Sequence, residues 1–191
     1  MIIKKSDIKL KPANELPLYI AEEVDFSKID APMLTNVMLD RMAEMGGAAL
    51  SAPQVGLDMS MFVMGVNQTK IEVFNPTIIS YSKEEMLMNE GSLSYPGILV
   101  IIKRPESIVV EYYNKNGKLQ QNEFQGLTAR IFQHAYDHLQ GITIKDKVSK
   151  LKWDLATKRL NNYKQKLVNK YTQKKHFEIK KAMEEQTNGH T

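Results

Sequence analysis

Apolar residues recur along this chain with two periods. Three stretches carry them at spacings of three and four, as a helix with one buried face requires. The first opens at Asp30-Ala31-Pro32, a capping side chain followed by proline in the first turn. It continues through Leu34, Val37, Met38, Met42 and Met45 and stops at Gly46-Gly47. The second carries Leu127, Ile131, His134 and His138 on one stripe and ends near Gly141. The third carries Trp153, Ala156, Leu160, Tyr163, Leu167 and Tyr171, in a segment with neither glycine nor proline from Ile142 to Asn188. Between the first two lie short apolar runs typical of strands: 61–66, 71–74, 77–82, 98–102, 107–113 and 119–124. Asn75-Pro76 and Asn114-Lys115-Asn116-Gly117 read as turns, and 47–57 and 89–97 as loops of small residues. Residues 1–29, broken by Pro12 and Pro17, read as an extended arm over the body. A run of strands followed by a helix predicts α+β with antiparallel pairing rather than βαβ units.

Composition narrows the class. At 191 residues, 42% apolar and 25% charged, the chain is expected to form one soluble domain with an appendage. No apolar run approaches the ~18 residues of a membrane span, and Met1-Ile2-Ile3-Lys4-Lys5 is too polar for a signal peptide, so a cytoplasmic protein is expected. There is no cysteine, which excludes disulfides and thiolate ligands. Residues 145–191 hold 13 Lys/Arg against 5 Asp/Glu, a balance of +8, whereas residues 1–144 balance at −4. The expected division is a body, 1–150, and a basic amphipathic helix and tail, 151–191, suited to an anionic partner such as RNA.

The candidate chemistry sits on the second helix. His134 and His138 are one turn apart on one face, and two imidazoles on an apolar stripe call for a partner such as a divalent metal. The pair alone does not identify a metal site, because such spacing occurs on many helices. The common metallohydrolase motif also has glutamate after the first histidine, where this chain has Ala135. In the first loop, Gln54 is an amide group among small residues that could donate to a substrate; on its own the stretch reads better as a tight loop between helix and strand.

Taken together, three segments resemble the peptide deformylases. Gly47-Ala48-Ala49-Leu50-Ser51-Ala52-Pro53-Gln54 is similar to the family's glycine-alanine loop ending in glutamine. Glu90-Gly91-Ser92-Leu93-Ser94 is similar to its Glu-Gly-Cys-Leu-Ser segment, and Gln133-His134-Ala135-Tyr136-Asp137-His138-Leu139 to its histidine helix. The resemblance covers residues 1–155. It implies small antiparallel sheets around a central helix carrying His134 and His138, and removal of the formyl group from the N-terminal methionine of nascent chains. It implies ferrous iron (Fe2+), replaceable by Zn2+ or Ni2+, held by two histidines and the loop cysteine, with a glutamate as base. Carried over, His134 and His138 are the metal ligands, with Ser92 as a weak third. Gln54 and the Leu93 N–H are the oxyanion donors. Gly47, Ala48, Leu127 and Ile131 line the pocket for a methionine-like side chain. Glu90, with Arg104 as counter-charge, is placed to orient a histidine.

Four positions depart from the pattern: Ser92 for cysteine, Ala135 for the glutamate base, and Ala49 and Ser51 in the first segment. A serine hydroxyl is a poor metal ligand, and alanine takes no proton; loss of a positioned base costs ~10²–10⁴ in rate. Asp137 lies about 60° from the His134 direction by helix geometry, and the resemblance implies a structural role for it. Two functions follow as expectations: a peptide deformylase with lost or severely impaired catalysis, or a non-catalytic deformylase-fold protein serving as a binding or structural subunit.

Overall fold

The computed structural model describes residues 7–66 and 69–188. The expected arm is therefore seen from Asp7 onward; its first six residues, and the tail beyond Asn188, lie outside the described residues. The elements are helix α1 (Ala31–Glu44), strands β1 (Ala49–Ser51), β2 (Met61–Val66), β3 (Thr69–Tyr81), β4 (Glu85–Ser92), β5 (Tyr95–Pro105), β6 (Ser107–Tyr113) and β7 (Leu119–Gln125), then helices α2 (Gly126–Leu139) and α3 (Lys150–Asn188). The chain divides into two compact units, Met1–Ser149 and Lys150–Thr191.

The first unit is α+β. Five antiparallel strands form one sheet in the order β1-β2-β3-β6-β7, and β4 and β5 form a separate two-stranded sheet. β2 explains the layering. Met61 and Val63 join α1 residues Leu34, Met38 and Met42 in one apolar cluster, whereas Phe62 and Met64 join α2 residues Ala129, Phe132 and Leu139 in another. Successive side chains on a strand point to opposite faces, so the unbroken apolar run of β2 records burial on both sides. On the α2 side, Phe132 meets Phe62 edge-on at 5.0 Å and Phe124 at 5.6 Å.

α1 begins as its sequence dictates: the Asp30 carboxylate accepts from the Met33 N–H at 2.9 Å, with Pro32 in the first turn. α2 lacks a side-chain cap; it starts directly from β7 at Gly126. α3 is one continuous helix of 39 residues, about 58 Å at 1.5 Å per residue.

Three local expectations are corrected. Residues 71–74 and 77–82 are not two strands around a turn; β3 runs through Asn75-Pro76 with a register shift between Phe74 and Thr77. Asn75 takes φ 48°, which asparagine tolerates. Its side chain accepts from the Val24 N–H at 2.7 Å and donates to the Val24 carbonyl at 3.0 Å, tying the arm to the sheet. Residues 89–97 are not a loop; β4 and β5 make a hairpin with Leu93-Ser94 at its tip. The inward residues of β4 are Met86, Met88 and Glu90, and a charged residue on the buried face hides the alternation. Residues 47–57 include β1 and a 3-10 turn, Ala52–Val55.

Gly141 closes α2 at φ 69°, and a Cβ there would lie 2.7 Å from the Leu18 carbonyl carbon and 2.8 Å from the Tyr19 nitrogen. Backbone cannot yield as a flexible side chain can, and the arm is held at this point by the Ala21 N–H bond to the Leu139 carbonyl at 2.8 Å. Gly141→Ala is expected to destabilise the fold by more than ~1 kcal/mol, read as a lowered urea midpoint.

Candidate active site

α2 sets Leu127, Ile131 and His134 along a cavity of about 500 Å³. The chain before and within β1 contributes Gly47, Ala48 and Ala49, the 3-10 turn contributes Gln54, and the β4–β5 tip contributes Ser92 and Leu93. Most of the residues carried over from the family motifs thus meet at one place. His138 does not line this cavity. It is buried beside His134, ring centroids 5.2 Å apart, and is 4% exposed. Ala135 does not line it either; it is buried in the apolar cluster of Phe132 and Leu139.

Gln54 is held at both ends. Its Oε1 accepts from the Ser51 N–H at 3.0 Å and from the Ser51 hydroxyl at 2.9 Å, while its Nε2 donates to Ser94 Oγ at 3.1 Å. The Ser94 N–H in turn donates to Ser92 Oγ at 3.3 Å. The Leu93 N–H meets no acceptor among the described residues.

Beside the cavity lies a buried ion network. Arg104 grips Glu90 with two bonds, Nε to Oε1 at 2.6 Å and Nη2 to Oε2 at 2.9 Å, and reaches Asp137 Oδ2 at 2.6 Å. Arg130 Nη1 donates to Glu90 Oε1 at 2.8 Å and to the Ile102 carbonyl at 3.0 Å; its Nη2 donates to the Met86 carbonyl. Lys147 donates to Asp137 Oδ1 at 3.1 Å. Burial by itself would raise the Glu90 pKa, but hydrogen bonds from Arg104 and His134, the Arg104 charge and the Arg130 bond outweigh it. The carboxyl is held well below the usual carboxylate range.

That charge fixes which His134 nitrogen faces Glu90 as a donor. Its Nδ1 lies 3.0 Å from Glu90 Oε2, and an ionised carboxylate only accepts, so Nδ1 carries the proton. In the neutral ring Nε2 keeps a free lone pair. His138 is held neutral: burial first, then the electrostatic influence of His134 and Arg104, push its pKa down to about 3. Its Nε2 is buried with no hydrogen-bond partner among the described residues. An orphaned imidazole nitrogen beside a second one, each with a lone pair, fits a borderline divalent metal. The remaining donor, the Ser92 hydroxyl, is neutral, and among the described residues no group of three His, Cys, Asp or Glu could hold an ion. The donor set is thus two good ligands and one weak one.

Sequence reading missed Arg130 and Ser94. Arg130 sits between the apolar residues Ala129 and Ile131 of α2, and an arginine at such a position calls for an acid beside it; that was the available signal. Nothing in the sequence pairs Ser94 with Gln54.

Known proteins share this sequence pattern and this fold. The pattern of the family described as Polypeptide deformylase matches residues 12–154. The peptide deformylase of Thermotoga maritima is 41% identical over 123 residues, 64% of this chain and 75% of the relative. That of Cytophaga hutchinsonii is 30% identical over 151 residues, 75% of this chain and 82% of the relative. The crystal structure of a Synechococcus elongatus peptide deformylase in complex with actinonin superposes with a TM-score of 0.75 at 29% identity, covering 81% of this chain and 86% of that one.

The network has a consequence in acid. Glu90 and His138 have ordinary values of 4.5 and 6.5 when unfolded, and folding lowers both. Below about pH 6.5 the unfolded chain therefore binds protons that the folded chain refuses, so stability is full above that pH and lost as pH falls. With EDTA present, the urea midpoint should drop steadily from about pH 7 to pH 4. Glu90→Gln should cost about 3–5 kcal/mol at neutral pH, by leaving Arg104 and Arg130 without their acid, and should flatten the fall below about pH 4.5.

Proposed function

The chain belongs to the peptide deformylase family, and from that premise we propose that its cavity takes the formylated N-terminus of a nascent peptide but hydrolyses the formyl group very slowly. The family acts in protein biosynthesis, removing formyl groups from nascent chains. The observation that carries the reading is the convergence of Gln54, Leu93, Ser92 and His134 on one cavity.

Two strand edges support a peptide ligand. β1 is the edge of the five-stranded sheet, and β4 pairs with β5 alone. Both border the cavity, so an extended peptide has backbone donors and acceptors on either side. Leu93, Leu127 and Ile131 give an apolar wall for a methionine-like side chain. Glu90 and Arg130 also border the cavity, but their charges are spent on each other. Gln54 Nε2 and the Leu93 N–H are the donors for the formyl oxygen as it gains charge.

His134 and His138 would hold the family's metal, with ferrous iron, zinc or nickel as candidates and Ser92 as a weak third ligand. When bound, the metal supplies Lewis acidity, which activates water and polarises the formyl carbonyl. Glu90 keeps the proton on His134 Nδ1 and so turns Nε2 to that task. No residue at position 135 accepts a proton from water, and Ala135 sits in an apolar cluster. That observation favours the second reading as well: a deformylase-fold protein that binds formyl-peptide without turning it over.

The body, 1–150, is the deformylase-like domain, and 151–191 is the basic tail. With its surplus of Lys and Arg, the tail docks on ribosomal RNA close to the nascent chain, in the cytoplasm. No helix among the described residues is long and apolar enough to cross a membrane.

Turnover of a formyl-Met peptide, assayed with added Fe2+, Ni2+ or Zn2+, is expected to be at least ~10²–10⁴ lower than that of the Ser92→Cys/Ala135→Glu variant. Equal turnover of the two would refute impaired catalysis. Truncation after Lys152 should weaken ribosome binding and flatten its salt dependence; unchanged binding would remove the tail from the account.

A further inference from the structure

Ser51 is completely buried, and its hydroxyl donates to Gln54 Oε1 at 2.9 Å. Its backbone N–H donates to the same oxygen at 3.0 Å. A carboxamide oxygen has two lone pairs, so one residue fills both. A flipped carboxamide would set its NH2 against the Ser51 N–H, donor facing donor. Gln54 is thereby fixed with its nitrogen toward Ser94, and one Nε2 hydrogen goes to Ser94 Oγ at 3.1 Å. The second hydrogen is left for the cavity that Gln54 lines.

The bonds also share a direction. Ser51 donates to Gln54, and Gln54 donates in turn to the Ser94 hydroxyl. Hydrogen bonds accepted at one end of an amide polarise it and strengthen donation at the other. Ser51, Gln54 and Ser94 are at most 5% exposed, so solvent does not dilute the effect.

We propose that Ser51 is a positioning residue: its hydroxyl locks and polarises the Gln54 carboxamide so that Nε2 presents its free hydrogen to the carbonyl oxygen of a bound formyl group. This rests on the reading of the cavity given above. Removing the hydroxyl leaves one lone pair of a buried carboxamide oxygen without a donor, and the amide loses one of the three hydrogen bonds that orient it.

The test compares the full chain with Ser51→Ala and with Ser51→Cys, the latter close in shape with a much weaker donor. Calorimetry measures affinity for a formyl-Met-Ala-Ser peptide and for the same peptide with a free amine. The parent chain is expected to prefer the formylated peptide. Both variants should lose about three- to tenfold of that preference, with affinity for the free-amine peptide unchanged. In the ligand-free protein, the two Gln54 side-chain amide proton resonances should shift and broaden in the variants. Equal weakening toward both peptides would make Ser51 merely structural and overturn the proposal, as would an unmoved Gln54 amide pair. A parent preference that the variants keep overturns this inference alone. A parent with no preference overturns the reading of the cavity, and this inference with it.

Discussion

Glu90 is the point on which the site depends. The β4–β5 hairpin shares no strand pairing with the main sheet, and a two-stranded hairpin is marginal alone. Side chains must therefore attach it to the body. Glu90 on β4 is gripped by Arg104 on β5 and by Arg130 and His134 on α2. Burying these charges is costly, and only their mutual hydrogen bonds offset it. The network thus selects one hairpin position, and with it the position of Ser92 and Leu93 against Gln54.

The same carboxylate couples scaffold to chemistry. By accepting the hydrogen bond from His134 Nδ1–H, it leaves the opposite nitrogen of the neutral ring with its lone pair. Arg104 carries the link onward to Asp137 on α2, where Lys147 supplies a second positive charge. Every part of this frame is intact, although Ser92 and Ala135 stand where the family places its thiolate and its base. The frame around the cavity is thus independent of the residues at positions 92 and 135. A positioning network has value for binding as well as for catalysis.

Position 135 shows how local this change is. It follows His134 directly and is buried among Phe132 and Leu139. An alanine there extends the apolar packing of α2 on the sheet. A carboxylate at the same place would need its own hydrogen bonds.

Much of this was readable from residue order. The helical stripe through Leu127, Ile131, His134 and His138 follows from the 3.6-residue period, and the buried strand β2 from its apolar run. Three short segments, read together, were enough to suggest the family. What residue order did not carry was partnership across distance. Asn75-Pro76 signals a turn locally, but 51 residues away Val24 supplies a backbone partner that keeps β3 continuous. Glu90 interrupts the alternation of β4 and hid the hairpin, because its partners Arg104 and Arg130 lie 14 and 40 residues on. Ser94 finds Gln54 from 40 residues away. Periodicity and capping act within a few residues and are written in order along the chain. Buried polar groups are satisfied by whatever the fold brings alongside, and only the tertiary structure decides what that is.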